Sequence, residues 1–100
     1  MAEPRFDELI HAPLRLRICA IAASASSVEF GELLSRLEVS KSALSKHVSQ
    51  LVHVGYLEET PVTRDGRARL SLSLTPAGRT AYRGHIQALE QITGLHPQAS

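Results

Sequence analysis

One hundred residues, 43% of them apolar, suit one small domain with a single modest core and leave little room for a second. No apolar run reaches membrane-spanning length, and a formal charge of +1 is too small to indicate nucleic acid or a membrane surface through bulk attraction. A lone cysteine, Cys19, rules out an internal disulfide and a cysteine-cluster metal centre. The N-terminus, MAEPRFDEL, carries acidic residues where a secretory signal would place basic ones ahead of an apolar stretch, so a cytoplasmic protein is expected.

Residues 6–24 read as the N-terminal helices. Phe6, Leu9 and Ile10 form an apolar stripe over a short helical lead-in, residues 6–11. Pro13 then suits the first turn of a new helix, about 13–24, where its missing N–H is not needed. That helix turns Leu14, Ile18, Ile21 and Ala22 inward and leaves Arg15 and Arg17 more exposed. Small polar residues break the chain at 24–27, and Val28 allows a very short strand. A second helix, about 30–37, has Phe30, Leu33, Leu34 and Leu37 on its inner face. Residues 38–40 form the next turn, with Val39 plugging the helix junction. Ser40 is a good N-cap for a third helix, and Gly55 ends that helix by accepting a positive φ.

The third helix carries the chemistry. Leu44, Val48, Leu51 and Val52 recur at helical spacing and can be buried, which leaves Lys41, Ser42, Ser45, Lys46 and Gln50 pointing outward. Short hydroxyl and amide side chains between lysines suit the edge of a base pair and its flanking phosphates. Residues 30–54 therefore read as a helix-turn-helix, and double-stranded DNA is the partner they imply. An ordinary solvated helix side would use similar residues, so the reading leans also on the hairpin and helix order of residues 57–93. His47, on the helix shoulder, reads first as a hydrogen-bonding or packing residue and, in a functional role, as a phosphate contact.

After Gly55 the period changes. Leu70, Leu72 and Leu74 alternate with Ser71, Ser73 and Thr75, the two-residue repeat of a strand with one buried face. Asp65-Gly66 signals a tight hairpin just before it. With a two-residue loop, Leu57 faces Leu74, but Glu59 falls on the same side as Leu72, and Pro61 confines the partner strand to an edge. The side chains specify that register only weakly. Residues 57–75 thus form a wing-like hairpin carrying Arg64, Arg67 and Arg69. Thr75-Pro76 starts a last helix, 76–93, which stops at Gly94. Its stripe of Tyr82, Ile86, Leu89 and Ile92 exceeds what so small a core can cover. Together with Phe6, Leu9 and Ile10 it is expected to form a homodimer interface. The tail, residues 95–100, is expected to fray.

The fold class is mainly α with a small β-hairpin (α+β), and residues 1–100 form a single domain. The order helix, helix, recognition helix, hairpin, helix resembles the winged helix-turn-helix regulators of the ArsR and MarR type, and the short bacterial winged-helix DNA-binding proteins most of all. The residues that carry the resemblance are His11-Ala12-Pro13-Leu14-Arg15-Leu16-Arg17-Ile18, Ser45-Lys46-His47-Val48, Leu51, Gly55-Tyr56-Leu57, Asp65-Gly66-Arg67 and Leu74-Thr75-Pro76-Ala77-Gly78-Arg79. It implies a dimer with a three-helix core, a wing and a C-terminal dimerisation helix, regulating transcription by occupying operator DNA, most simply as a repressor. Lys41, Ser42, Ser45, Lys46 and His47 would then face the major groove or its phosphates, with Gln50 reaching the backbone. Arg64, Arg67 and Arg69 would lie on phosphate or in the adjoining minor groove.

Other chemistries find little support. ArsR-like proteins often sense metals, but this chain lacks the cysteine pair of thiolate sensors, and His85 and Glu90 do not make a zinc pair on one helix face. His11, His53 and His96 are scattered, so no metal or other cofactor is expected. Cys19, within an apolar helix, reads as inert core. No glycine-rich phosphate loop, paired carboxylates or activated nucleophile points to an enzyme. The competing function is a winged helix that docks a protein partner without binding DNA. Such surfaces are usually depleted in lysine and centred on aromatics, unlike the face of residues 41–50.

Overall fold

Proline sets where the first helix begins. In the computed structural model, which describes residues 3–95, Ala12 is held at φ −61° and ψ 135°, outside the helical region that a following proline disfavours. Helix α1 (Pro13–Ala23) therefore starts afresh, and in place of the helical lead-in expected over 6–11 only residues 8–11 form a turn. Asp7 closes that turn: its carbonyl accepts from the His11 N–H (3.0 Å) and its Oδ1 from the Ile10 N–H (3.0 Å). His96 and the tail expected to fray from 96 onward lie outside the described residues.

The remaining order is β1 (Val28–Glu29), α2 (Phe30–Leu37), α3 (Lys41–His53), β2 (Leu57–Arg64), β3 (Arg67–Leu74) and α4 (Pro76–Thr93). Local chemistry marks each boundary. Helix α2 ends on Glu38, which adopts the left-handed conformation (φ 54°) and returns its N–H to the Leu34 carbonyl (3.1 Å). Ser40 caps α3 by accepting from the Ala43 N–H at 3.1 Å, and Thr75 caps α4 by accepting from the Gly78 N–H at 2.9 Å. The Thr75 hydroxyl in turn donates to the Gly55 carbonyl, which ties the end of α3 to the start of α4.

The three strands lie antiparallel in the order β1-β3-β2, so β2, with Pro61, is an edge as expected. Pairing runs from Leu57↔Leu74 through Glu59↔Leu72 to Arg64↔Arg67 without a break. Asp65 and Gly66 both have positive φ (54° and 74°), the backbone of a type I′ turn, whose twist matches that of the strands. Turn geometry thus fixes a register that the side chains leave loose.

The core lies between the helices and the sheet. Ile18, Leu33, Leu44, Leu51 and Leu72 are fully buried there, and Val39 and Val52 pack against its rim. Ile10 joins them at 0% exposure, so it is not available to a second copy of the chain, contrary to its expected place in a dimer interface. The turn that replaces the lead-in helix explains the change, because it points Ile10 into its own core. Leu9 and Tyr82 also pack partly against that core.

The buried side of α4 departs from its aliphatic stripe as well. Gly78, Gly84, His85 and Ala88 are its buried residues. Residues 3–7 run across it, with the Arg5 N–H on the Gly84 carbonyl (2.9 Å), and a Cβ at Gly84 would meet the Glu3 carbonyl oxygen at 2.8 Å. A glycine there lets an extended backbone lie directly on the helix.

Candidate nucleic-acid interface

Helix α3 is anchored by Leu44, Val48 and Leu51, all buried, and capped at its first turn by Ser40. Burying those three fixes which way the rest of the helix faces. Lys41, Ser42, Ser45, Lys46 and Ser49 are exposed and together line one shallow concavity on the outer side. Four of these, Lys41, Ser42, Ser45 and Lys46, are among the five residues the spacing left outward, Gln50 being the fifth; Ser49, one turn beyond Ser45, completes the surface. Two ammonium groups flank three hydroxyls that can each donate or accept.

The shoulder of the helix is organised differently. His47 and Gln50 are half-buried and turn toward α1, where the Arg15 guanidinium meets them. Arg15 Nη1 lies 2.7 Å from Gln50 Oε1 and 2.9 Å from His47 Nδ1, while its Nε–H donates to the Leu9 carbonyl. Gln50 is therefore not a free outward amide, and His47 is a hydrogen-bonding shoulder residue. Arg15 belongs to this site although its sequence position suggested only an exposed face of α1. No local signal marks it, because its partners are 32 and 35 positions away.

On the wing, the register puts Arg64 opposite Arg67 and Val62 opposite Arg69, so the three arginines share the sheet face opposite Leu70, Leu72 and Leu74. They are not equivalent. Arg64 Nη2 lies 2.9 Å from Glu29 Oε2, an ion contact without hydrogen-bond alignment, so its charge is partly neutralised from β1. Among the described residues, Arg67 and Arg69 are exposed and make no ion pair.

Away from α3, a polar network joins the N-terminal turn to α4. His85 is completely buried on α4; its Nδ1 accepts from the Asp7 N–H at 3.0 Å, and its Nε2 lies 3.2 Å from His11 Nδ1. Phe6 packs on both rings, with centroid separations of 4.7 Å and 4.8 Å. Asp7 Oδ2 accepts from the Tyr56 hydroxyl at 2.7 Å, which raises the tyrosine pKa. Burial, and then the neighbouring His11, lowers the pKa of His85, while Asp7 and Glu8 oppose that shift. Burial pushes the Cys19 thiol up to about 12, with Asp7 adding and Arg15 opposing, so almost no thiolate exists at neutral pH. Ile86 and Leu89 are half-buried, and Ile92 and Leu95 stand 67% and 68% exposed. Among the described residues, no group of three or more histidine, cysteine or acidic side chains is placed to hold a metal ion. No helix among them is long and apolar enough to cross a membrane.

Known proteins resemble this chain in fold or in sequence. The transcriptional regulator homologue of Pyrococcus horikoshii OT3 superposes with a TM-score of 0.82 at 19% identity, covering 88% of this chain and 87% of that one. Wild-type MarR from E. coli, in its apo form, gives 0.68 at 24% identity over 84% of this chain and 62% of its own. An uncharacterized protein of Methanocaldococcus jannaschii, MJ0432, is 23% identical over 86 residues, which are 86% of this chain and 94% of that protein. Residues 14–93 match the family described as winged helix DNA-binding domain. That match spans all four helices and the hairpin, and the chain belongs to the winged helix DNA-binding domain family.

Proposed function

We propose that the protein is a sequence-specific DNA-binding transcriptional regulator of the cytoplasm, acting as a homodimeric repressor that excludes other proteins from its operator. The observation that carries this reading is the outer side of α3, where Lys41, Ser42, Ser45, Lys46 and Ser49 line one surface left open by the described residues. Serine hydroxyls of this kind serve base edges or phosphates, and the lysines release counterions on meeting phosphate. Arg67 and Arg69, which make no ion pair among the described residues, supply cations on the wing, with Arg64 a weaker third. Membership of the family and the likeness of fold to MarR support the same function.

The dimer rests on apolar residues that the described residues leave exposed or only half-buried. Ile86, Leu89, Ile92 and Leu95 follow helical spacing along and just beyond α4, and Phe6 is 37% exposed at the other end of the chain. Two half-sites one turn of B-DNA apart require two copies of α3 about 34 Å apart, which a two-fold pairing through α4 would have to supply.

Selection of bound sequences from a random duplex pool tests function and symmetry together. The expected product is an inverted repeat whose half-sites are one helical turn apart. Enrichment of no sequence, with affinity for duplex absent even at low salt, would overturn the reading in favour of a protein-docking winged helix.

A further inference from the structure

The Arg15 guanidinium has more than a packing role in this geometry. It carries only donors, so every group that faces it must accept. Nη1 has two protons and two partners on α3, Gln50 Oε1 at 2.7 Å and His47 Nδ1 at 2.9 Å. Gln50 must then turn its carbonyl oxygen inward and leave its amide nitrogen, a pure donor, on the other side. His47 accepts through a lone pair on Nδ1, so the neutral ring carries its proton on Nε2 and can only donate there. Left alone, both side chains would offer donor or acceptor indifferently.

Their place on the helix gives this consequence. Gln50 stands one turn beyond Lys46, at the border of the open outer surface, and His47 comes directly after Lys46. Nε donates to the Leu9 carbonyl in the N-terminal turn, so the guanidinium is braced from the body rather than carried by α3. Among the described residues Arg15 makes no ion pair, so its charge adds to that of Lys46.

We propose that Arg15 is a positioning residue for nucleic-acid binding: by occupying Gln50 Oε1 and His47 Nδ1 it makes this shoulder of α3 donate only, and so fits it to phosphate oxygens. The inference rests on the DNA-binding reading above and deepens it. Gln50 then contributes through the direction of its amide rather than by its mere presence.

A double-mutant cycle tests it, using duplex of the selected sequence and of random sequence. Gln50→Ala is expected to weaken binding about fivefold in the wild-type background and less than twofold in an Arg15→Gln background, because the amide is no longer oriented there. Gln50→Glu keeps an oxygen on Arg15 but replaces the outward donor with an anion. Its melting temperature should hold or rise while affinity falls more than tenfold. Equal factors for Gln50→Ala in both backgrounds, or a Gln50→Glu protein that binds normally, would overturn the role of Arg15. Should Arg15→Gln not fold, the nitrogen spectrum of His47 in the wild type decides. The Nε2-protonated ring is expected, and an Nδ1-protonated ring overturns the proposal. Wild-type protein that binds no duplex would overturn the DNA reading itself, an outcome distinct from a binding protein with an additive cycle.

Discussion

Helices α3 and α4 divide their polar residues in opposite ways. In α3 the aliphatic residues Leu44, Val48 and Leu51 go inside and the serines and lysines face out. In α4 the buried face is Gly84, His85 and Ala88, while Ile92 remains two-thirds exposed. The first pattern needs only water outside and a core inside. The second needs a partner segment, because a buried imidazole requires a donor and an acceptor placed for it. Residues 3–11 supply them through the Asp7 N–H and the His11 ring. A helix face whose polar groups are exposed is free to bind something else, whereas a face whose polar groups are internally satisfied, as around His85, is committed to its own chain.

Removing what holds α3 with its outer side free should have the largest effect. Leu44→Ala empties a fully buried site, and about 2–5 kcal/mol of stability should be lost in urea denaturation. A loss under 1 kcal/mol would mean that α3 is not anchored as described. On the other side of the same helix, Lys46→Glu should leave the melting temperature alone and cut duplex affinity at least tenfold, about 1.4 kcal/mol. The loss should shrink as salt rises, since exposed charges are screened.

Acid sharpens the contrast from the α4 side. The folded pKa of His85 lies below its ordinary value of 6.5, chiefly through burial, so the unfolded chain takes up this proton first. The corresponding stability is complete above the unfolded value, declines as pH falls below it, and levels off beneath the folded value. Unfolding midpoints at pH 7.5 and 5 should therefore fall with acid, and His85→Gln should reduce that fall. A wild-type midpoint that rises on acidification, or a His85→Gln slope equal to it, would contradict the network.

Gly84→Ala is the mildest change. Alanine favours the helix by roughly 0.5–1 kcal/mol, but its Cβ displaces the Glu3 carbonyl. Global stability should change by less than about 1 kcal/mol, while hydrogen exchange of the Arg5 and Asp7 amides accelerates. Unchanged exchange at both amides would show that residues 3–7 do not lie on the glycine.

The same contrast explains how much was legible in the sequence. Ser40, the Asp65-Gly66 turn and Thr75-Pro76 mark boundaries with chemistry that acts over two or three residues, and α2, α3, the hairpin and α4 lie where those marks put them. The alternation of Leu70, Leu72 and Leu74 likewise forecasts its strand, with Leu57 opposite Leu74. The features that sequence could not show depend on distant partners. Ile10 lies inside because Pro13 and Asp7 convert a helical stripe into a turn. His85 is core because Asp7, 78 positions earlier, satisfies it, and periodicity counts histidine and glycine as neither apolar nor inward. Gln50 turns from the outer face toward an arginine 35 positions away.

Contact between the outer side of α3 and duplex DNA is the proposal on which the rest depends. Amide chemical shifts recorded while the selected duplex is added test it residue by residue. The account predicts the largest changes at Ser42, Ser45, Lys46 and Ser49, with a second set at Arg67 and Arg69. Changes confined to Ile86, Leu89 and Ile92, or none up to saturating duplex, would contradict it.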